Sequence, residues 1–526
     1  MYFNSVKYLL NINPWGALAF VLLMCTHIPS SYSQEDAQQD TSLDSLFELS
    51  LTELSQIRID VGTRGQNRPI FDSPVPISVI TANDIKKTGL TDLGLVLQRL
   101  LPFVNYPRPT INDGTDHTPP LFMRGMNPDQ ILVLVNGKRR HITSLVHTNI
   151  VGRGSTSIDF NTIPVDAIER VEVLRDGASA QYGSDAIAGI INIVLKSDVE
   201  NYLKTQYGQT IQNDGVVNQI TTHFGTNIKE KGFFTLTSEF RKKGATNRSG
   251  IDVRQQYFDY QTAENAEFEA NPFQTFRLGE AESDNFSLVL NAAVPVDTAT
   301  RIYSFSTFNY RESEAGGFFR RPQDNRTVRE VYPDGFLPLI KPVTLDGSFL
   351  LGLESKINGW DVDVSSGYGI NSFKFNVGNS INTSMGTESP TEFYAGTLIF
   401  SQLTSNVDLF RDLNIRLKNP LKIGLGAEFR VENFQIRKGE EAAYTDGGVA
   451  ILDGPNAGDL APVGAQVFPG FTPDNETNQF RNNKAVYIDL ENSLFNNLLV
   501  GLAGRYEDYS DFGSSWNGNS LSGTSQ

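Results

Sequence analysis

Residues 153–196 read RGSTSIDFNTIPVDAIERVEVLRDGASAQYGSDAIAGIINIVLK, and this stretch decides the fold. Its spacing predicts a short helix over 163–169 and a strand over 170–174 (RVEVL). A link rich in Gly, Ala and Ser follows, and 190–195 (IINIVL) is a second strand. A strand that is apolar at successive positions is buried on both faces, so it belongs inside a globule. Working outward towards the N-terminus, 131–135 (ILVLV) is another such strand. It is closed by Asn136-Gly137, a pair suited to the positive φ angles of a tight hairpin. Further upstream 75–80 (VPISVI) is a short strand, and Thr81 and Asn83 precede a capped helix that starts at Asp84 and ends near Gly89. Leu93, Val96, Leu97 and Leu100 then recur at helical spacing until Pro102 stops them. Residues 62–196 therefore read as one α+β domain.

Downstream of residue 196 the period becomes two. Val362, Val364, Tyr368 and Ile370 alternate with Asp361, Asp363, Gly367 and Gly369, and Ile423, Leu425, Phe429 and Val431 alternate with Lys422, Gly424, Glu428 and Arg430. Phe234, Leu236 and Phe240 oppose Thr235, Thr237 and Glu239; Leu498, Val500, Leu502 and Tyr506 oppose Gly501, Ala503, Arg505 and Glu507. Segments of about ten residues, apolar outward and polar inward, are the signature of antiparallel transmembrane β-barrel strands. The connections alternate as well. Those at 295–298, 357–359 and 495–497 are short, and those at 242–282, 312–346 and 435–482 are long, the asymmetry of an outer-membrane barrel. About eleven strands are expected over 197–526. The tail from Tyr509 (YSDFGSSWNGNSLSGTSQ) reads as a loop rich in Ser, Gly and Asn.

The first 33 residues read as an export signal: Lys7, an apolar run at 15–25 (WGALAFVLLMC), then Ser31 and Ser33 ahead of a cut before Gln34. That run is shorter than the roughly 20 helical residues a bilayer requires. Residues 34–61 form a polar arm whose end, QIRIDV at 56–61, alternates and could add as a strand to a partner's sheet edge; a plain linker is the simpler alternative. Composition removes other classes. A net charge of −16 argues against a nucleic-acid binder. The single Cys, Cys25, rules out an intramolecular disulfide and a Cys-rich metal centre. His141 and His147 lack the spacing of a metalloprotease helix, and 152–155 (GRGS) lacks the Lys of a phosphate-cradling loop. No catalytic residue, metal site or cofactor is expected.

The stretches 74–85 (PVPISVITANDI), 95–109 (LVLQRLLPFVNYPRP), 111–117 (INDGTDH), 121–141 (LFMRGMNPDQILVLVNGKRRH) and 153–196 succeed one another along the chain. In that order they resemble the plug domain of the TonB-dependent outer-membrane receptors, which import scarce nutrients across the Gram-negative outer membrane. The resemblance implies a signal peptide at 1–33 and a periplasmic arm at 34–61, with a candidate TonB box at Gln56, Ile57, Arg58, Ile59, Asp60 and Val61. It also implies a plug domain at 62–196 and the N-terminal part of an outer-membrane β-barrel at 197–526. Receptors of this kind have about 22 strands around a plugged lumen. Their last strand ends in an aromatic residue, whereas this chain ends Gly523-Thr524-Ser525-Gln526, so a fragment of a longer receptor or a truncated gene is expected.

Family motifs that lock plug against barrel fall on Arg124, Gly125, Glu169, Arg170, Arg175 and Gly177, with ordinary domain packing as the alternative. In the apical stretch 107–120, Asn112, Asp113, Asp116 and His117 are the ligand-contact candidates, set against a merely solvated loop. The partners implied are a TonB-type periplasmic energy-coupling protein, outer-membrane lipid and a small-molecule substrate such as a ferric siderophore or similar iron complex, with no nucleic acid. The rival readings are a surface β protein that binds glycans or acts as an adhesin, and a non-functional truncated receptor.

Overall fold

The computed structural model describes residues 58–59, 68–69 and 76–524, apart from 416, 418 and 495–497. The export segment, most of the arm and the short connection at 495–497 lie outside the described residues. Two short strands come first, β1 (Arg58–Ile59) and β2 (Arg68–Pro69), paired antiparallel.

The plug follows. Strand β3 (Ile77–Thr81) leads into helix α1 (Ala82–Thr88), where the Thr81 hydroxyl accepts from the Asp84 backbone N–H and the Asp84 carboxylate accepts from the Thr81 backbone N–H. This reciprocal pair satisfies two orphan donors at the helix start, and Gly89 in the left-handed region ends the helix, as the sequence predicts. Helix α2 (Leu93–Leu100) is capped by the Asp92 side chain and buries Val96 and Leu97 completely. Short β4 (Val104–Asn105) and β5 (Phe122–Met123) pair with each other. Then come β6 (Ile131–Val135), β7 (Lys138–Arg139), β8 (Ile168–Leu174), a one-turn helix α3 (Ser179–Tyr182) and β9 (Gly189–Leu195). The central sheet has the order β3-β8-β9-β6-β7, with β6 parallel to β9. Asn136 and Gly137 both take positive φ (48° and 76°), the two-residue hairpin that this dipeptide predicts. The short helix expected over 163–169 is instead two 3-10 turns, Phe160–Thr162 and Val165–Ala167, with β8 starting at Ile168. Pro164 lies between them; its fixed φ and missing N–H, together with the extended backbone it imposes on Ile163, prevent a continuous helix.

Around the plug runs one antiparallel sheet of thirteen strands. It comprises β10 (Tyr202–Gly208), β11 (Val217–Ile228), β12 (Gly232–Lys243), β13 (Glu282–Pro295) and β14 (Thr300–Gly316), with helix α4 (Thr262–Ala270) in the loop between β12 and β13. The short β15 (Leu339–Ile340) and then β16 (Val343–Ile357), β17 (Trp360–Gly378), β18 (Phe393–Leu413) and β19 (Leu421–Arg437) follow. The last three are β20 (Thr477–Leu494), β21 (Leu498–Tyr509) and β22 (Gly513–Thr524). Each long strand pairs with its sequence neighbour; β15 bridges β14 and β17 beyond the end of β16. Outward positions are apolar and exposed (Phe349, Leu351, Tyr368, Val407, Val486), and inward positions are polar and buried (Gln219, Glu239, Asn285, Asn371, Glu428, Arg505). That is the inside-out pattern of a barrel wall in lipid. Among the described residues no helix is long and apolar enough to cross a membrane.

One expectation is corrected here. The tail is not all loop: after a turn at 510–512, Gly513–Thr524 pairs with β21 along its length, from Tyr509↔Gly513 to Leu498↔Thr524. Ser, Gly and Asn present no apolar face to read, but a ladder is made by backbone groups, and β21 offers a free row of them.

Candidate functional site

The hairpin after β6 throws four consecutive side chains, Lys138, Arg139, Arg140 and His141, against the barrel wall. Lys138 Nζ lies 2.9 Å from an Asp363 carboxylate oxygen on β17 and 3.2 Å from one of Asp408 on β18. Those acids hold tyrosines of their own: Tyr303 donates to Asp363 at 2.8 Å and Tyr487 to Asp408 at 2.5 Å. Burial disfavours the Lys138 ammonium, but Asp408, Tyr303 and Asp363 outweigh it and raise its pKa above the usual lysine value. Arg139 pairs with Asp185 of the plug and donates to the Tyr182 carbonyl at 2.7 Å, with Arg430 of β19 on the far side of Asp185 at 3.6 Å. Burial opposes the Asp185 charge, yet the two guanidinium groups hold its carboxyl below the usual range. Arg140, fully inside, pairs with Asp346 of β16 and donates to Thr307 at 2.6 Å and Ser348 at 2.5 Å. His141 Nε2 sits 3.0 Å from the same Asp346; burial and the Arg140 charge lower its pKa despite that carboxylate, so the ring is neutral at pH 7. Below and beside this run, Lys204 of β10 pairs with Asp166 at 2.9 Å, Gln181 donates to Asp489 at 2.8 Å, and the Ser184 backbone N–H donates to Glu507 at 3.1 Å.

Of the residues expected to lock plug against barrel, Arg124, Gly125, Glu169, Arg170, Arg175 and Gly177, the three arginines make contacts inside the plug. Arg124 donates to the Arg175 carbonyl at 2.5 Å, Arg170 pairs with Glu169 at 3.0 Å and Glu172 at 2.8 Å, and Arg175 lies over the Phe103 ring at 5.6 Å. These contacts stay within the plug. Arg124 and Gly125 both take positive φ and shape a turn, and a Cβ on Gly177 would press on the Ile187 carbonyl at 3.2 Å. The barrel partners of the 138–141 run lie up to 289 residues away in the chain, as Glu428 does from Arg139, beyond the reach of any local motif.

At the apex, Asn112 and His117 are buried rather than solvated. Asp116 Oδ1 lies 3.4 Å from His117 Nε2, and the His117 ring tilts against Phe373 of β17 at 6.5 Å. Asn112 Oδ1, Asp116 Oδ1 and both His117 ring nitrogens have no hydrogen-bond partner. Burial pushes the Asp116 carboxyl up to about 7. Burial, with Arg311 and Arg277 nearby, pushes the His117 imidazole down to about 3. Burial also raises Asp113. Above this patch the long loops interlock. Arg108 of the plug pairs with Glu280, Arg329 pairs with Asp453, and Asn382 donates to the carbonyls of Ala442 (2.9 Å) and Thr445 (2.8 Å). Phe276 and Phe318 meet edge to face at 5.3 Å with Arg254 over both rings. Sequence reasoning passed over these loop aromatics; their clustering in 257–276 and 318–319 was the available signal. Among the described residues no three His, Cys, Asp or Glu side chains converge as a metal set. Of the candidate box only Arg58 and Ile59 are described, as β1; Gln56, Ile57, Asp60 and Val61 lie outside the described residues.

The TonB-dependent Receptor Plug Domain family matches residues 69–190. The chain is 30% identical over 177 residues to the ferric enterobactin receptor PirA of Pseudomonas aeruginosa, an alignment covering 34% of this chain and 24% of that protein. It is 29% identical over 224 residues to the vitamin B12 transporter BtuB of Vibrio vulnificus, covering 42% and 32%. Among solved structures, the siderophore receptor PirA of Acinetobacter baumannii superposes with a TM-score of 0.59 at 17% identity, over 85% of this chain and 58% of the other. The siderophore receptor PiuA of the same organism does so with a TM-score of 0.53 at 13% identity, over 89% and 64%. The chain thus spans less than two thirds of the length of these proteins, and the structural matches establish its fold. Residues 69–190 match the TonB-dependent receptor plug domain family, and the sheet that holds them has the fold of the barrel wall in these solved receptors.

Proposed function

We propose that this protein is an energy-coupled importer of the Gram-negative outer membrane that takes up a ferric siderophore or similar iron complex. The observation that carries the reading is the seating of the plug. Buried ion pairs join residues 138–141 to three neighbouring strands, β16, β17 and β18, so the wall and the plug form one closed surface on that side. A solute can pass only if the plug moves, and buried pairs are costly to separate, so passage needs work done on the plug. The arm at 56–61, with a short extended segment at Arg58–Ile59, is where a periplasmic coupling protein would add by strand pairing and pull. Asn112, Asp113, Asp116 and His117 would meet the substrate beneath the loop aromatics. The role is transport, with no chemical step and no resident cofactor.

A second reading, cobalamin as substrate, is favoured by the alignment to the vitamin B12 transporter, which runs 47 residues further than that to the ferric enterobactin receptor (224 against 177). The test is uptake by energised cells that carry or lack the native gene, offered radioactive iron as ferric catecholate and, separately, labelled cyanocobalamin. Gene-dependent iron uptake that collapses when the coupling protein is deleted supports the first reading; gene-dependent cobalamin uptake supports the second. Equal uptake of both with and without the gene sinks the transport reading.

A further inference from the structure

Across the outer face of the wall, from β16 to β21, runs a groove of about 1020 Å³. Its size is that of a site for a drug-sized ligand, about 300–1,000 Å³. A wall that only faces bulk lipid presents an even apolar band and needs no groove. The dent has a cause in the sequence. On β17 the outward residues run Val364, Ser366, Tyr368, and on β18 they run Leu403, Ser405, Val407; the ladder sets the two serines opposite each other between apolar rows. Their hydroxyls meet at 2.9 Å, so the low point of the wall pairs its own polar groups and remains compatible with an acyl chain. The row through the serines reads Leu351, Ser366, Ser405, Phe429, Lys484, Asp508, one residue from each of six neighbouring strands. It climbs as it goes. Leu351 stands six residues above the short turn at Ile357, whereas Asp508 stands ten above Leu498 and two residues before the turn at 510–512. Beside Asp508, Tyr506 tilts against Trp516, an aromatic pair of the sort that marks the membrane surface. The groove thus begins in the middle of the wall and opens at the outer interface between an ammonium and a carboxylate.

Resting on the reading of this sheet as an outer-membrane wall, we propose that the groove holds one resident phospholipid with an ethanolamine headgroup. Its acyl tails lie along the groove and its headgroup sits at Lys484 and Asp508. Charge complementarity chooses the headgroup. Lys484 and Asp508 are direct cross-strand partners and both are exposed, yet among the described residues neither takes part in an ion pair. The Cβ atoms of such a pair stand about 4.5–5.5 Å apart. An ethanolamine headgroup carries its phosphate and its ammonium two carbons apart, so each charge meets its opposite. A glycerol headgroup would set its phosphate beside Asp508 with no cation to relieve it, and a choline headgroup has no N–H to give the carboxylate. The tails supply fit rather than driving force. A bilayer is as apolar as the groove, so close packing along Leu351, Phe429 and Val486, with the two charged contacts at the mouth, is what retains this lipid. The lipid around the rest of the wall has no such contacts and exchanges freely.

The test is native mass spectrometry of the full-length native receptor in detergent, offered equal amounts of dioleoyl phosphatidylethanolamine, phosphatidylglycerol and phosphatidylcholine. One phosphatidylethanolamine per receptor should be retained, about tenfold or more over either competitor. Ser366→Leu with Ser405→Leu fills the groove with side chains that a lipid-facing strand accepts, and should abolish retention. Lys484→Gln with Asp508→Asn should leave a lipid bound but erase the headgroup preference. Should the leucine variant not fold, the headgroup variant carries the test, and an unchanged preference overturns the site. Equal retention of the three lipids by the native receptor, or retention unaffected by the two leucines, overturns it as well. So does phosphatidylglycerol retained ahead of the others, or a doubled mass that gives the groove to a second copy. Energised iron uptake by native cells depends on none of these results, so failure of the lipid site and failure of the transport reading are read apart.

Discussion

Asp116 and His117 are neighbours in one buried patch, and their titrations oppose each other. The folded-state pKa of Asp116, about 7, lies above the ordinary 3.8, so its share of stability is full in acid and is lost as pH rises from about 4 to about 7. The value for His117, about 3, lies below the ordinary 6.5, so its share is full above 6.5 and is lost as pH falls towards 3. Between about pH 4 and 6.5 the two slopes, each up to about 1.4 kcal/mol per pH unit, offset one another. Melting temperatures of the purified receptor across this window should therefore be nearly flat. Asp116→Asn should become acid-sensitive and His117→Gln should lose stability as pH rises; a flat profile for Asp116→Asn would show that the pair is not coupled to folding. At Arg140 and Asp346 the argument is one of partners. Asp346→Ala strands a buried guanidinium and a histidine, and should weaken the plug's seat by about 3–5 kcal/mol, whereas Arg140→Leu with Asp346→Leu should cost less than either single change. The readout is the urea concentration at which the plug becomes sensitive to protease. Arg140 lies in the stretch 121–141, but nothing local says that it meets a carboxylate 206 positions on, whereas Arg124 and Gly125 build their turn from adjacent residues.

Local chemistry made some elements readable and left others silent. Thr81 with Asp84, and Asn136 with Gly137, act over three residues or fewer, and both elements form as the sequence predicts. β12, β17, β19 and β21 announce themselves by apolar alternation. β22 does not, since Ser, Gly and Asn occupy both faces and only Trp516, tilted against Tyr506 with ring centroids 4.7 Å apart, marks the outer one. The helix expected at 163–169 is cut short for the converse reason: β8 begins at Ile168 and leaves only the single turn Val165–Ala167 after Pro164. Helix α2 offers a sharper test of packing against propensity. Ala is the better helix former, by up to about 1 kcal/mol, but a Cβ on Gly94 would stand 2.4 Å from the buried Tyr106 ring. Gly94→Ala should therefore destabilise the plug by about 1–3 kcal/mol, and adding Tyr106→Leu should recover part of that loss. If Gly94→Ala instead raises the plug's melting temperature, Tyr106 does not pack on the helix as described.

Over the whole molecule the same strand carries two patterns: inward residues are polar and buried against the plug, and outward ones are apolar and exposed. On β16 both Leu351 and Ile357 point outward and are about half exposed, yet they differ in depth. Leu351 is mid-strand, opposite Ser304 and Ser366, and Ile357 pairs with Trp360 at the short turn. Six residues at about 3.3 Å each separate them along a strand tilted by about 40°, which places Ile357 roughly 15 Å nearer the membrane surface. A charge near the midplane of a barrel's lipid face costs about 2–4 kcal/mol and one at the interface about 0–1. Leu351→Arg should therefore lower the folding free energy measured in lipid vesicles by the larger amount and Ile357→Arg by the smaller. The gap between the two should shrink in a detergent micelle, where the charge can draw water to itself. Equal costs for both substitutions would mean that the outer face does not sit in a bilayer at this height, and the plug would then be seated in something other than a membrane-spanning wall.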